Sequence, residues 1–69
     1  MPEYLEEIFD RLSPALELLF IRYEVPPRRA GEIVEEVLRI FNRKHREIEN
    51  PEAWILDMVS RRLAREDRS

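Results

Sequence analysis

Proline placement constrains this chain more than any other feature. The five prolines are Pro2, Pro14, Pro26, Pro27 and Pro51, and only one glycine occurs in 69 residues. Proline donates no hydrogen bond to a sheet ladder, so it is kept out of central strands, but it opens helices well at their first position. The intervals between the prolines are helical lengths, and the near absence of glycine removes the usual hairpin turns. The apolar residues agree. In "PEYLEEIFDRLSPALELLFIRYEV", Leu5, Ile8, Phe9, Leu12, Leu16, Leu19 and Phe20 recur at helical spacing. Ser13-Pro14 has the form of an N-cap followed by a first-position proline, which predicts a kink or short break near Ser13.

After "VPP", the stretch "RRAGEIVEEVLRIFNRKHRE" places Ala30, Ile33, Val34, Val37, Leu38 and Phe41 in one amphipathic series. Its opposite face carries Glu32, Glu35, Glu36, Arg39 and Arg43. The third helix starts at Asn50-Pro51-Glu52, which supplies a capping side chain, a first-position proline and an acid in the first turn. Ile55, Met58, Val59 and Leu63 form its apolar stripe, with Trp54 at the edge and Asp57, Arg61, Arg65 and Arg68 pointing elsewhere. The expectation is all-α: a compact three-helix bundle near residues 3–24, 27–46 and 51–66, packed through Leu16, Phe20, Val34, Leu38, Phe41, Ile55 and Val59.

A chain of 69 residues accommodates one domain, spanning 1–69, and one small core, with no second domain. The apolar fraction of 43% suffices for that core, and 39% charged residues ionise nearly every exposed position. No apolar run approaches the roughly 20 residues that span a bilayer, and the N-terminus is acidic where a signal peptide is basic, so the cytoplasm is the expected address. Cysteine is absent, which excludes disulfides and thiolate metal sites.

The net charge of −3 is unevenly spread. Residues 1–27 carry six acids against two arginines, a balance of −4; residues 28–49 carry six bases and five acids; residues 50–69 carry four of each. An acidic total argues against a general nucleic-acid binder, because phosphate neutralisation supplies most non-specific affinity. Catalytic constellations are thin. His45 is the sole histidine, it lies in the basic run "RKHR" where cations complement a helix C-terminus, and the serines lack a base at any suggestive spacing. Glu35 and Glu36 are consecutive and diverge on a helix, so they do not form a metal site. Neither an enzyme nor a cofactor is expected.

Two segments then carry a resemblance. "IFDRLSPALELLFIRYEVPPRRAGEIVEEVLRIF" followed by "IENPEAWILDMVSRRLARE" resembles the second conserved domain of bacterial RNA polymerase sigma factors of the extracytoplasmic-function kind, over residues 8–66. The order of elements carries the likeness: proline-alanine-leucine in the first helix, a "VPP" turn, the box "EIVEEV", then "NPEAWIL" before an arginine-rich segment. The resemblance implies a helical bundle that docks on the clamp helices of the largest subunit of core RNA polymerase and binds the promoter −10 element. It implies docking through Glu32, Glu35, Glu36 and Arg39. The family has aspartate at the place of Glu32, glutamine at that of Glu35 and an acid at that of Gly31.

For DNA, the family's last helix reads Trp-Leu-Tyr-Arg-Ile-Ala-Arg-Asn. Trp54 and Ile55 match, whereas Asp57, Ser60 and Arg61 replace arginine, arginine and asparagine. Glu47 and Glu49 in the preceding loop repel phosphates. Arg61, Arg62, Arg65 and Arg68 remain to hold a DNA backbone, since arginine's planar fork suits phosphate. Trp54 is expected in the core, with base stacking as the alternative. Two functions follow: a transcription-initiation module binding core polymerase and, more weakly, promoter DNA, or a sigma-like interaction module that has lost specific DNA binding and pairs with itself or another helical partner. A complete sigma factor also carries a second DNA-binding domain for the −35 element, which this stretch of sequence does not include.

Overall fold

The computed structural model describes residues 3–67, with side chains over 4–66. Three helices account for most of it: α1 (Glu3–Arg22), α2 (Pro27–Lys44) and α3 (Pro51–Asp67), with a single 3₁₀ turn at His45–Glu47 between the last two. The three-helix, all-α expectation holds, and each helix keeps the predicted start. Pro27 occupies the first turn of α2. Asn50 caps α3 through its side chain, accepting a hydrogen bond from the Ala53 amide at 3.1 Å. That bond satisfies one of the amides a helix N-terminus leaves without an intrahelical partner.

The short break expected near Ser13 is absent, and the alternative of a kink there is not confirmed. α1 runs through Pro14 as one helix. Ser13 does not cap a new helix; its hydroxyl donates to the Phe9 carbonyl one turn back, at 2.8 Å. Serine makes this back-bond within a continuing helix, whereas a cap requires its oxygen to accept from an amide ahead. The helix ends are also shorter than expected, at Arg22 and Lys44. α1 closes in a Schellman arrangement: the Val25 amide donates to the Phe20 carbonyl at 2.8 Å and the Glu24 amide to the Ile21 carbonyl at 3.1 Å.

α3 packs closely against both α1 and α2, while those two approach each other less closely. The core joins Leu5, Ile8, Leu12 and Leu16 of α1, Ile33, Val37 and Phe41 of α2, and Ile55, Val59 and Leu63 of α3. Each set repeats every three or four residues, so it forms one stripe per helix. Trp54 packs against this core, with its ring 5.8 Å from that of Phe41 and tilted by 56°. This tilted contact matches the expected packing role.

Two expected core residues are corrected. Val34 and Leu38 of α2 are half-buried and outside the core, while Phe20 of α1, also half-buried, packs against it. One residue turns a helix by about 100°, so Val34 and Leu38 sit on the flank next to the stripe of Ile33, Val37 and Phe41. α3 covers that stripe.

Candidate functional site

The outer seam between α2 and α3 gathers most of the charged residues singled out by the sequence. Five side chains form an alternating series of charges across it. Arg29 binds Glu32 at 3.0 Å and Glu66; Glu66 also lies 3.6 Å from Arg62; Arg62 in turn binds Glu36. Two of these contacts follow helix periodicity, Arg29–Glu32 and Glu66–Arg62, and two, Arg29–Glu66 and Arg62–Glu36, are set by the register of α2 against α3. Arg62 and Glu36 are only 30% and 38% exposed.

Electrostatics follow the geometry. The hydrogen bond from Arg62 holds the Glu36 carboxyl below its ordinary value, and that from Arg29 does the same for Glu66. Both guanidinium groups are raised in return, chiefly by those same hydrogen bonds. These groups are therefore charged together at neutral pH.

Above this series lies a groove lined by Val37, Ile40 and Met58 at its floor, with Glu36, Arg61, Arg62 and Arg65 around it. It continues along α2 past Arg39 and Arg43. Arg61 is highly exposed and pairs with Asp57 one turn back on α3, at 3.0 Å. Arg39, Arg43 and Arg65 make no ion pair or hydrogen bond among the described residues. The groove thus offers an apolar strip bordered by several arginine side chains, on a chain that is acidic overall.

The residues expected to bind polymerase separate into two kinds. Glu35 and Arg39 are exposed on the outer face of α2, while Glu36 is drawn into the seam and Glu32 is paired with Arg29. The residues expected to bind DNA separate in the same way. Arg65 is exposed, Arg61 is paired locally, Arg62 is committed to Glu36 and Glu66, and Arg68 lies outside the described residues. The structure brings Glu36, Arg39, Arg61, Arg62 and Arg65 to one groove, where the sequence placed them on two surfaces. Arg29 and Glu66 were missed. Their signal was present only as unassigned charges, because no periodic rule links positions 37 residues apart.

His45 is exposed, and its Nδ1–H donates to the Asn42 carbonyl at 3.0 Å near the end of α2. It satisfies a helix C-terminal carbonyl, as expected from its place in the basic run. Among the described residues no three histidine, cysteine or acidic side chains converge as a metal site would require. No helix among them is long and apolar enough to cross a membrane. No family model, curated protein or solved structure matches this chain.

Proposed function

We propose that this chain is a transcription-initiation module of the sigma-factor kind, which binds the clamp helices of core RNA polymerase through the outer face of α2 and holds promoter single strand weakly beside it. The observation that carries this reading is the common groove: the exposed Arg39 borders its continuation along α2, through the shared Glu36 and Ile40, while Arg61 and Arg65 border it on α3, and the exposed Glu35 lies on the same helix as Arg39. A partner seated on α2 would leave the α3 arginines at its border, where a nucleic-acid strand delivered by that partner would be met. The order of motifs along residues 8–66 supports the same assignment. Docking falls to Glu35 and Arg39, because reversing Glu36 would break an ion pair that joins two helices.

The test is capture of purified core polymerase by the chain. The double variant Glu35→Lys with Arg39→Glu is expected to keep wild-type helicity and lose capture, since both side chains are exposed and surface substitutions seldom destabilise. Undiminished capture by that variant would remove α2 from the interface.

One observation favours a second reading, an interaction module without specific DNA binding: Arg61 and Arg62 spend their charge within the domain. A parallel titration with −10-type single-stranded DNA separates the two. Under the first reading, affinity falls with added salt and Arg65→Ala flattens the salt dependence by about 0.7 of a unit. Under the second, no binding registers at any salt concentration.

A further inference from the structure

Leu18 and Ile21 are the anomaly of α1. They are 69% and 72% exposed, and at three residues apart they protrude side by side from the helix face turned away from the core. Scattered surface leucines need no explanation, but these two are contiguous with a further apolar surface. Ile21 borders a shallow depression formed with Phe20, Val25, Pro27 and Ala30, and the charged residues around that depression are Glu17 and Glu24. The exposed face of α1 adds Glu6, Glu7 and Asp10. Of its two arginines, Arg11 is paired with Glu52 at 3.2 Å, which leaves Arg22. The result is an apolar ridge in an acidic field.

The groove between α2 and α3 has the opposite character. Its apolar lining is Val37, Ile40 and Met58, and its border carries Arg61, Arg62 and Arg65 together with the single acid Glu36, which Arg62 pairs, so the balance is positive. The ridge and the groove share no residue and belong to different faces, so a single copy cannot bring them together. Both are apolar at the centre, and their borders are opposite in charge.

We propose that the α1 ridge of one copy docks into the α2–α3 groove of a second copy, with Leu18 and Ile21 against Ile40 and Met58 and with Glu17 and Glu24 facing Arg61 and Arg65. The contact is head-to-tail, so each added copy exposes a fresh ridge and a fresh groove and association continues rather than closing at a pair. It is independent of the polymerase reading, and it has a consequence for it: a groove filled by another copy hides Arg61 and Arg65. Self-association would then hold the module in a form that does not engage nucleic acid.

The experiment uses purified chain alone, without polymerase or DNA, so its outcome stands apart from the functional assay. Sedimentation of the wild-type chain is expected to show a mass that rises with concentration and falls with added salt, because the borders are charged. A ridge variant, Leu18→Ser with Ile21→Ser, is expected to weaken association on the order of 100-fold, the loss for two apolar side chains no longer covered. A groove variant, Arg61→Glu with Arg65→Glu, is expected to be monomeric as well.

Mixing the two variants is the decisive step. The intact groove of the first accepts the intact ridge of the second, while the remaining pair of surfaces is disabled, so the mixture is expected to stop at two chains. Circular dichroism of each variant verifies that the helices persist. A wild-type chain that stays monomeric at every concentration overturns the proposal. So does a groove variant that associates like wild type, which would mean ridge-to-ridge contact, and so does a mixture that remains monomeric.

Discussion

Glu24 adopts a backbone conformation better suited to glycine. Its φ of 54° makes it the non-glycine residue with positive φ among those described, and it stands where the Schellman closure of α1 requires a left-handed residue. An L-residue with a side chain is held there at a cost of about 1–2 kcal/mol. Glu24→Gly relieves that strain but adds freedom to the unfolded chain, so a net gain of about 0.5–1 kcal/mol is expected in chemical denaturation. An unchanged midpoint would mean that the Glu24 side chain contributes a compensating contact. Burial separates two other residues that looked alike in the sequence. Phe41 is 1% exposed and Leu38 is half-buried. Phe41→Ala is expected to remove about 3–5 kcal/mol, a large part of the 3–10 kcal/mol on the order of which a chain this size depends, and Leu38→Ala only about 1 kcal/mol. Thermal unfolding of the two variants measures the difference directly, and equal losses would place Leu38 in the core after all.

At the level of elements, α1 contains the clearest conflict between local chemistry and fold. Pro14 has no amide hydrogen, so the Asp10 carbonyl lacks its intrahelical donor, and the helix nonetheless continues. What carries it across is the stripe on either side: Leu5, Ile8 and Leu12 precede the proline, Leu16 follows it, and all four are buried in the same core. Two independent helices would have to hold that alignment without a shared axis. Both Asp10 and Pro14 face solvent, where water can serve the carbonyl. Pro14→Ala restores the hydrogen bond and removes the ring clash with no loss of packing, so stability is expected to rise by about 1–3 kcal/mol, net of the added freedom in the unfolded chain. A fall in melting temperature would show that the proline is needed for the course of α1. The start of α3 shows the reverse, since Asn50, Pro51 and Glu52 agree with the helix at every position and the cap forms as expected.

Across the whole molecule, α3 joins the other two helices, and charge as well as apolar contact fastens it to α2. The Glu36 and Glu66 carboxyls have folded values below their ordinary 4.5, set first by the hydrogen bonds from Arg62 and Arg29. A depressed carboxyl contributes stability that is fully present above its unfolded value and is lost as pH falls through the folded one. Denaturation midpoints are therefore expected to be level above about pH 5 and to fall as the medium is acidified through and below about 4.5. Arg62→Met removes the partner of Glu36, and its midpoint should depend less on acid than that of the wild type. Identical acid profiles for the two chains would show that the α2–α3 ion pairs contribute nothing to this dependence. Because these groups are partly exposed, added salt should weaken the effect as well.

The sequence by itself determined the number of helices, their starts and the type of core, because these depend on local rules: proline at first positions, an asparagine cap, and apolar residues at intervals of three and four. It did not determine how far round each helix the buried stripe extends. That depends on which neighbours lie against it, and the packed core buries Ile33, Val37 and Phe41 rather than Val34 and Leu38. It also placed Glu36 and Arg62 on separate surfaces, since positions 26 residues apart have no periodic relation until two helices pack. Only the tertiary structure decided which charges are spent within the fold and which stay available. Arg62 and Glu36 neutralise each other at the seam, while Arg39 and Arg65 remain exposed, because the register of α2 against α3 brings the first two within reach and leaves the others facing water.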